Sequence, residues 1–459
     1  MKVLPEEYSG PPEGARAVPS GDRAASRAAE KQRLRGTQAV TRERCEDDLR
    51  ALGRLLLGLQ PNVGLDWAAL VELARRHGVS PLLFWRLENE GADLTKERAV
   101  PAAVRERLQT DFYSAAARGA VAEYQSAKVL RALTAAEVTT MVVKGAAVGS
   151  FYPNPALRFY SDLDLMVPWT QLDEAERVLR GLGYWYSEAK DWWLDHFYHL
   201  PLMINDDGLL AVELHWRLDA DEAFGRLPVD ELWDRSVPWS LQGQPVLRLE
   251  AVDTVLHLCR HAVVQHRAQL GLRPVCDLAQ VVKGWERVEW EALKQRAARY
   301  GLARPVYLML TLAEQMLGLD MPAGIVSGLR PPGTTELPTA VVEHLVRLEG
   351  GPATRVPGAV VQAGAKRTLG ARLSHFLWHL FLPRDGMAVV YNIPADSPLI
   401  WLTYLWRPLD LLRRYGRFVW GLLSGEQAAQ RTWAREVWLE RWLRAEGENG
   451  GGSDMGGGL

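Results

Sequence analysis

The fold of the middle of this chain is determined by the stretch Ser161-Asp-Leu-Asp-Leu-Met-Val167. Its acidic and apolar residues alternate, and successive side chains of a β-strand point to opposite faces of the sheet. We therefore predict a strand whose leucines face a core, while Asp162 and Asp164 share the other face. Neighbouring carboxylates repel unless a cation lies between them, and their oxygens suit Mg²⁺ bound together with phosphates. Two solvated aspartates near a strand end are the simpler explanation of this motif by itself.

A second predicted strand precedes this one and ends at a lysine. Val138-Thr-Thr-Met-Val-Val143 leads directly into Lys144-Gly145, and a helix begins near Ala146. Backbone N–H groups at a helix N-terminus, together with a lysine ammonium, form an anion site. A plain strand-to-helix turn that needs glycine would have the same sequence, so both explanations stay open.

The third predicted strand, residues 209–218, alternates over its whole length. Glu213, His215 and Arg217 share one of its faces, and the other face is apolar. Glu213 is suited to hold cations as a third carboxylate and to accept the proton of an attacking hydroxyl. His215 and Arg217 are candidates to support that carboxylate or to contact a substrate. A strand with one solvated face is the alternative for the whole segment, and for His215 a hydrogen-bonded histidine at the margin of the sheet is the interpretation that we favour.

The sequence around these strands is mostly helical in pattern. Apolar residues recur at helical spacing before and after the strands, and a helix over 172–182 separates the second strand from the third. This predicts an α+β fold, with a small mixed β-sheet embedded between helical N-terminal and C-terminal regions. The predicted segments are a disordered 1–40, a helical 41–135, an α/β core 136–250, a helical 251–325, a Gly/Pro-rich linker 326–372, a Trp/Arg-rich helical 373–445 and a disordered tail 446–459.

Composition excludes some classes of protein. With 47% hydrophobic and 24% charged residues, the chain resembles globular proteins. A net charge of −2 gives no overall field to hold a polyanion, so we expect no long nucleic acid as a partner. Three cysteines without CxxC spacing, and an N-terminus without a basic and apolar leader, predict a cytoplasmic protein.

Several polar residues outside the strands have more than one explanation. Arg158 lies four residues before Asp162 and is suited to pair with a phosphate, with an aspartate, or with a structural acid elsewhere. His257, His261 and His266 lack an HExxH pattern, so we predict packing, or a helical wall beside the site, in preference to zinc. For Asp277 we predict a helix cap.

The C-terminal region is dense in tryptophan and arginine. Its apolar run 398–406 is far shorter than the roughly 20 residues that a spanning helix needs. Tryptophan and arginine interleaved on amphipathic helices allow residues 401–445 to lie weakly on an anionic membrane surface. They also allow structural cation–π packing, which is the interpretation that we favour.

The motifs occur in the order Lys144-Gly145, Arg158, Asp162-x-Asp164 and Glu213-Leu-His-Trp216. In this order they resemble an uncharacterised bacterial nucleotidyltransferase family of the DNA-polymerase-β-like superfamily. The likeness covers roughly residues 45 to 420 and includes the segments Leu256–His261, Asp277-Leu-Ala279 and Arg407-Pro408.

The resemblance implies an enzyme that moves a nucleoside monophosphate from a nucleoside triphosphate, such as ATP, to a hydroxyl of an unidentified small molecule, peptide or protein. It implies two Mg²⁺ ions on the catalytic carboxylates Asp162, Asp164 and Glu213. The implied nucleotide contacts are Lys144, Gly145, Arg158 and Ser161. The superfamily more often has glycine or serine after the glycine of this turn, where this chain has Ala146. The alternatives are a nucleotide-binding sensor or scaffold without turnover, and a protein that docks on membranes or partners through its C-terminal region.

Overall fold

The computed structural model of this chain describes residues 44–61, 64–89, 100–186, 190–219, 225–266, 271–332, 334, 358–365, 368–391 and 393–444. The chain divides into two compact units, Met1–Asp47 and Asp48–Leu459, and the sheet and the helices around it belong to the second. The segments predicted as disordered, 1–40 and 446–459, and most of the predicted linker 326–372 lie outside the described residues.

The sheet has five short strands in the described residues. They are β1 (Met141–Val142), β2 (Asp162–Met166), β3 (Ala211–His215), β4 (Val237–Leu241) and β5 (Gln244–Arg248). Their order across the sheet is β3-β2-β1-β5-β4. The pairs β2–β3 and β1–β5 are parallel, whereas β1–β2 and β4–β5 are antiparallel. The three predicted strands are confirmed with shorter bounds, and so is the α+β class with a small mixed sheet.

Helices surround the sheet on both faces. The predicted helix over 172–182 is confirmed as Leu172–Gly181, followed by Gly183 with a positive φ of 86°. The described helices are α1 (44–56), α2 (Trp67–Arg76), α3 (Ser80–Asn89), α4 (Ala102–Ala135), α5 (Gly145–Gly149), α6 (Leu172–Gly181), α7 (Lys190–His196), α8 (Val229–Asp234), α9 (Ala251–Arg260), α10 (Arg273–Val281), α11 (Arg287–Arg299), α12 (Ala303–Leu312), α13 (Ile325–Leu329), α14 (Gly358–Ala365), α15 (Leu369–Leu380), α16 (Arg384–Tyr391), α17 (Ile400–Leu423) and α18 (Gln427–Arg444). Short π-helical turns, His261–Gln265 and Ala313–Leu317, extend α9 and α12.

The two faces of the sheet belong to different hydrophobic cores. The apolar face, formed by Leu163, Leu165, Val212 and Leu214, shares one core with buried residues of α4 and α6. The opposite face, which we call the acidic face, carries Asp162, Asp164 and Glu213 and shares the second core with α9, α10 and α12 through its methionines. Polar groups therefore lie between a sheet and a helical layer, where water is scarce and charge interactions are strong.

The strand directions determine where the polar groups meet. Since β1 runs antiparallel to β2, Lys144, which follows β1, lies at the end of the sheet where β2 begins. Since β3 runs parallel to β2, its first residue Ala211 pairs with Asp162 at that same end. We call it the Asp162 end of the sheet.

No helix among the described residues combines the length and the apolar character that crossing a bilayer requires.

A buried histidine links the N-terminal helices to the helical layer. His77 follows α2 and is 2% exposed, and its Nδ1 accepts a hydrogen bond from the backbone N–H of Leu272 at 3.0 Å, just before α10. Burial, and then the charge of Arg76, lower the pKa of His77 to about 4. The neutral imidazole is therefore part of the folded state.

Acidification should weaken the fold through His77. An unfolded histidine titrates near 6.5, so below that pH the unfolded chain binds a proton that the folded chain excludes. The contribution of His77 to the free energy of unfolding is fully present above pH 6.5 and is lost as the pH falls towards 4, to the extent of about 3 kcal/mol. Urea unfolding of wild type and His77→Gln at several pH values tests this. The variant should show the smaller pH dependence, and equal slopes would contradict the assignment.

Candidate functional site

The pairing of β2 with β3 brings two carboxylates together. The register places Asp164 beside Glu213, and neighbouring residues of paired strands point to the same face. His215 joins them, because its Nε2 lies 3.2 Å from Asp164 Oδ1 and 3.2 Å from Glu213 Oε2. These three residues can each offer one ligand atom, and the three atoms lie within 4.8 Å of one another. We call them the Asp/Glu/His cluster.

Lys144 places its ammonium against this cluster. Its Nζ lies 2.7 Å from Asp164 Oδ1 and 3.9 Å from Glu213 Oε2. The Asp164 side chain is only 2% exposed, whereas the Glu213 side chain is 21% exposed. Solvent therefore reaches the cluster from the Glu213 side but not from the Asp164 side. The negative charge of the cluster is balanced by a lysine of the chain itself.

The acids of this face differ in their electrostatics. Burial alone would raise the pKa of Asp164, but the Lys144 ammonium and the hydrogen bond with His215 hold it well below its ordinary value. For Asp162 the result is the opposite, since burial and then the charges of Asp164 and Glu213 raise its pKa. An additional cation at this face would relieve the repulsion around Asp162.

Asp162 lies on the acidic face but outside the Asp/Glu/His cluster. The three predicted carboxylates thus lie on one face of the sheet. Asp164 and Glu213 belong to the cluster, and Asp162 lies two residues before Asp164 on the same strand. His215 is 1% exposed, lies between the two clustered acids, and is the last residue of β3, an edge strand of the sheet. Both the hydrogen-bonded histidine at the sheet margin and the predicted support of Glu213 fit this position.

The glycine of the turn after β1 is required by packing. Gly145 has a positive φ of 31°, and a Cβ there would lie 3.0 Å from the Tyr160 Cβ. This close approach to the segment before β2 accounts for the glycine by itself. Ser161, the other predicted nucleotide contact at this end, is exposed, and its carbonyl accepts the backbone N–H of Ala211 at 3.1 Å.

Arg158 forms a structural ion pair. Its Nε donates to both carboxylate oxygens of Asp277, at 2.8 and 3.0 Å, and the Tyr152 hydroxyl donates to Asp277 Oδ1 at 2.8 Å. Of the alternatives for Arg158, the structural acid is the one observed. The capping prediction for Asp277 is wrong, because α10 begins after Leu272 and Asp277 lies in its interior. The pair links the segment before β2 to the helical layer.

Arg217 lies away from Glu213. It follows β3 at the end opposite to Asp162 and lines a cavity of about 650 Å³ together with Trp169 and Trp216. Among the described residues, no contact between Arg217 and Glu213 supports the predicted role of Arg217.

Histidines that the sequence did not connect with the strands surround the site. The His199 ring centroid lies 5.0 Å from that of His215, and no periodic pattern marks His199 in the sequence. Burial first, and then the charge of Lys144, lower the pKa values of His257, His261 and His266. Their proximity to Lys144 fits the predicted helical wall, and no cluster of metal-ligating residues in the described part of the chain includes them.

Residues 64–318 match a family of uncharacterised nucleotidyltransferases. The chain belongs to this family. The resemblance inferred from the motifs is thus confirmed, and the matched residues of this nucleotidyltransferase family member include the whole sheet, Lys144 and the Asp/Glu/His cluster. Helices α13 to α18 lie beyond the match, so the likeness predicted up to about residue 420 is confirmed only as far as residue 318. Among proteins of curated function, none matches the chain.

Removing the lysine should expose the cation requirement of the cluster. Lys144→Met leaves the buried Asp164 without its partner, so we expect the metal-free variant to lose about 3–5 kcal/mol of stability. Added Mg²⁺ or Mn²⁺ should then raise the melting temperature of the variant more than that of wild type, because the cation no longer competes with an ammonium.

Thermal unfolding in EDTA and in each metal measures this effect. Lys128→Met, at an exposed position of α4, is the matched control and should behave as wild type. Equal metal-induced shifts in wild type and Lys144→Met would contradict a cation site at the cluster.

Proposed function

We propose that this chain is a metal-dependent nucleotidyltransferase that transfers a nucleoside monophosphate from a nucleoside triphosphate to a hydroxyl of an acceptor. The observation that supports it most directly is the in-register pairing of Asp164 with Glu213 across β2 and β3. Together with His215 and opposite Lys144, it gathers metal-ligand atoms within 4.8 Å inside the residues that match the family.

The donor set fits a divalent cation. Carboxylate oxygens suit Mg²⁺, and an imidazole nitrogen beside them is also accepted by Mn²⁺. In our proposal Asp164 and Glu213, joined by Asp162, would hold two such cations, most simply Mg²⁺. Bound there, the cations would supply positive charge to the triphosphate.

The reaction that these residues support is an in-line displacement. The acceptor oxygen forms a bond to the α-phosphorus, the bond from that phosphorus to the oxygen bridging the α- and β-phosphates breaks, and pyrophosphate leaves. Glu213 is the partly exposed acid of the cluster, so it is the group that can take the acceptor's hydroxyl proton. Positioning and charge neutralisation account for most of the rate.

Lys144 has a second role in this proposal. Its ammonium neutralises Asp164 while no other cation does so. Once a cation binds the carboxylates, the ammonium is repelled from them and becomes available to the phosphates of the nucleotide. Gly145, Arg158 and Ser161 stay proposed nucleotide contacts, with the Nε of Arg158 already engaged by Asp277.

Loss of the carboxylates should abolish transfer. Glu213→Gln should lower kcat by roughly 10²–10⁴-fold, because the proton acceptor and a metal charge are lost together. Asp164→Asn should leave no measurable transfer. Glu174→Gln, at a side chain of α6 that is 40% exposed, is the control and should retain full activity.

The measurement uses purified full chain, Mg²⁺ or Mn²⁺, each α-labelled triphosphate and an extract as the source of acceptors. Labelled product and pyrophosphate are the readouts. Triphosphate binding without transfer to any component would instead establish the sensor or scaffold alternative.

A second function, attachment to an anionic membrane surface, is supported by the exposed faces of α15 and α17. On α17, Leu405 is 74% exposed, Trp420 70% and Leu423 78%. The exposed large apolar residues of α15 are Leu369, Leu373, Phe376, Leu377 and Trp378. Soluble surfaces rarely gather so many apolar side chains on neighbouring helices.

Charge indicates which kind of surface fits the α17 face. Arg413 and Arg417 are exposed on α17, while its single acid, Asp410, is buried and bound by Arg414. A face of leucine, tryptophan and arginine without exposed acids suits anionic headgroups. The structural packing that we favoured holds for Trp442, which Arg304 overlies at 5.2 Å, but not for the exposed Trp401 and Trp420.

Sedimentation with vesicles tests this second function. The full chain should bind phosphatidylserine-containing vesicles, and Leu405→Glu combined with Trp420→Glu should weaken binding at least about tenfold. Tyr124→Glu, at a residue 67% exposed on α4, is the control. Self-association that is lost in the same double variant, without vesicle binding, would assign the face to a second copy of the chain.

A further inference from the structure

A cavity lined by arginines lies at the Asp162 end of the sheet. It measures about 510 Å³ and lies between α2, α3, α4, the segment that enters β2, and the start of α10. The segment that enters β2 contributes Arg158 and Phe159 to its wall, and the charge of Arg158 reaches Asp162. The cavity is thus close to the acidic face, although neither Lys144 nor Glu213 lines it.

The wall of this arginine cavity carries more positive than negative charge. Four guanidinium groups line it, from Arg75, Arg118, Arg158 and Arg273, against the single acid Asp111. Arg75 Nε lies 3.2 Å from Asp111 Oδ2, and Arg158 is paired with Asp277 behind the wall. Two arginines, Arg118 and Arg273, are left without an ion pair among the described residues.

Both of these arginines are held in place by groups that do not neutralise them. The Arg118 guanidinium lies over the Phe159 ring, 5.0 Å from its centroid. The Arg273 guanidinium occupies the space beside Gly78, where a Cβ would lie 1.9 Å from its Nη2. Burial and then the charge of Arg158 lower the pKa of Arg273, and the charge of Asp277 offsets them only in part.

We propose that the arginine cavity binds a phosphate group carried by the acceptor of the transfer reaction. Guanidinium groups bind phosphate in a bidentate manner, and two arginines without an ion pair among the described residues match its charge. Ser114 lines the same wall and its hydroxyl adds a donor, whereas the hydroxyl of Thr110 donates to the Glu106 carbonyl at 2.9 Å. The volume exceeds that of a lone phosphate and falls within the range of small-molecule sites, so part of the acceptor fits as well.

The position of the cavity favours the acceptor over the triphosphate. Lys144 contacts Asp164 on the acidic face and does not line the cavity, so the group that would bind a triphosphate beside the carboxylates is separate from the cavity arginines. The cavity wall includes Arg158 and Phe159, which lie just before the strand that carries Asp162, so an acceptor held there lies near the acidic face. This inference rests on the proposed transferase function.

Binding of inorganic phosphate to the full chain tests the cavity without any turnover. Calorimetric titration should show Arg273→Gln and Arg118→Gln each weakening phosphate binding about tenfold or more, the loss expected for a charge-assisted hydrogen bond. Arg107→Gln, exposed on α4, is the matched control and should bind as wild type. Equal phosphate affinity in all four proteins would overturn the proposal. A similar loss of affinity in both arginine variants would show that the effect does not come from misfolding of one of them.

Titration with a non-hydrolysable triphosphate and Mg²⁺ separates the two possible sources of phosphate. Its affinity should be unchanged in Arg273→Gln; a loss as large as that for phosphate would assign the cavity to the nucleotide and overturn the acceptor assignment. In the transfer assay, phosphatase treatment of the acceptor extract should abolish labelling, and persistent labelling would also overturn it. Arginine-dependent phosphate binding with no labelling of any extract would support the cavity and count against the transferase alone.

Discussion

The parallel, in-register pairing of β2 with β3 is the constraint on which the candidate site depends. It places Asp164 beside Glu213 and brings His215 within 3.2 Å of both. A slip of one residue would turn Glu213 and His215 towards the apolar core and send Leu214 to the acidic face. The cost of burying a carboxylate among leucines therefore protects the arrangement, and the hydrophobic core specifies the chemistry as well as the fold.

The charges gathered by this pairing need a cation in every state of the protein. Lys144 provides one from within the chain, at 2.7 Å from Asp164, and its position follows from the antiparallel course of β1. A buried pair of this kind contributes little net stability, but removing one partner is costly. Any external cation must therefore compete with Lys144, and the occupancy of the site is coupled to the position of that side chain.

Alternation of side chains made the core of the site predictable, because polar and apolar residues alternate in Asp162-Leu-Asp-Leu165 and again in Val212-Glu-Leu-His215. The hairpin of β4 and β5 was missed, since Pro238 and Pro245 interrupt strands that are half exposed; its turn at Gln242-Gly243, with both φ values positive, was the available signal. Contacts between distant residues had no local signature. Arg158 and Asp277 are 119 residues apart, and only the packing of α10 against the segment before β2 shows that they pair.

The Arg158–Asp277 pair has a consequence for where this enzyme candidate can be divided. Every carboxylate of the acidic face lies between Asp162 and Glu213, so a fragment of residues 136–250 would contain all of them. Such a fragment would lack Asp277, the residue that fixes Arg158 four positions before Asp162. The smallest fragment that keeps Arg158 in place must therefore extend into the helical layer. The stretch of chain that contains the carboxylates is shorter than the stretch that their structural support requires.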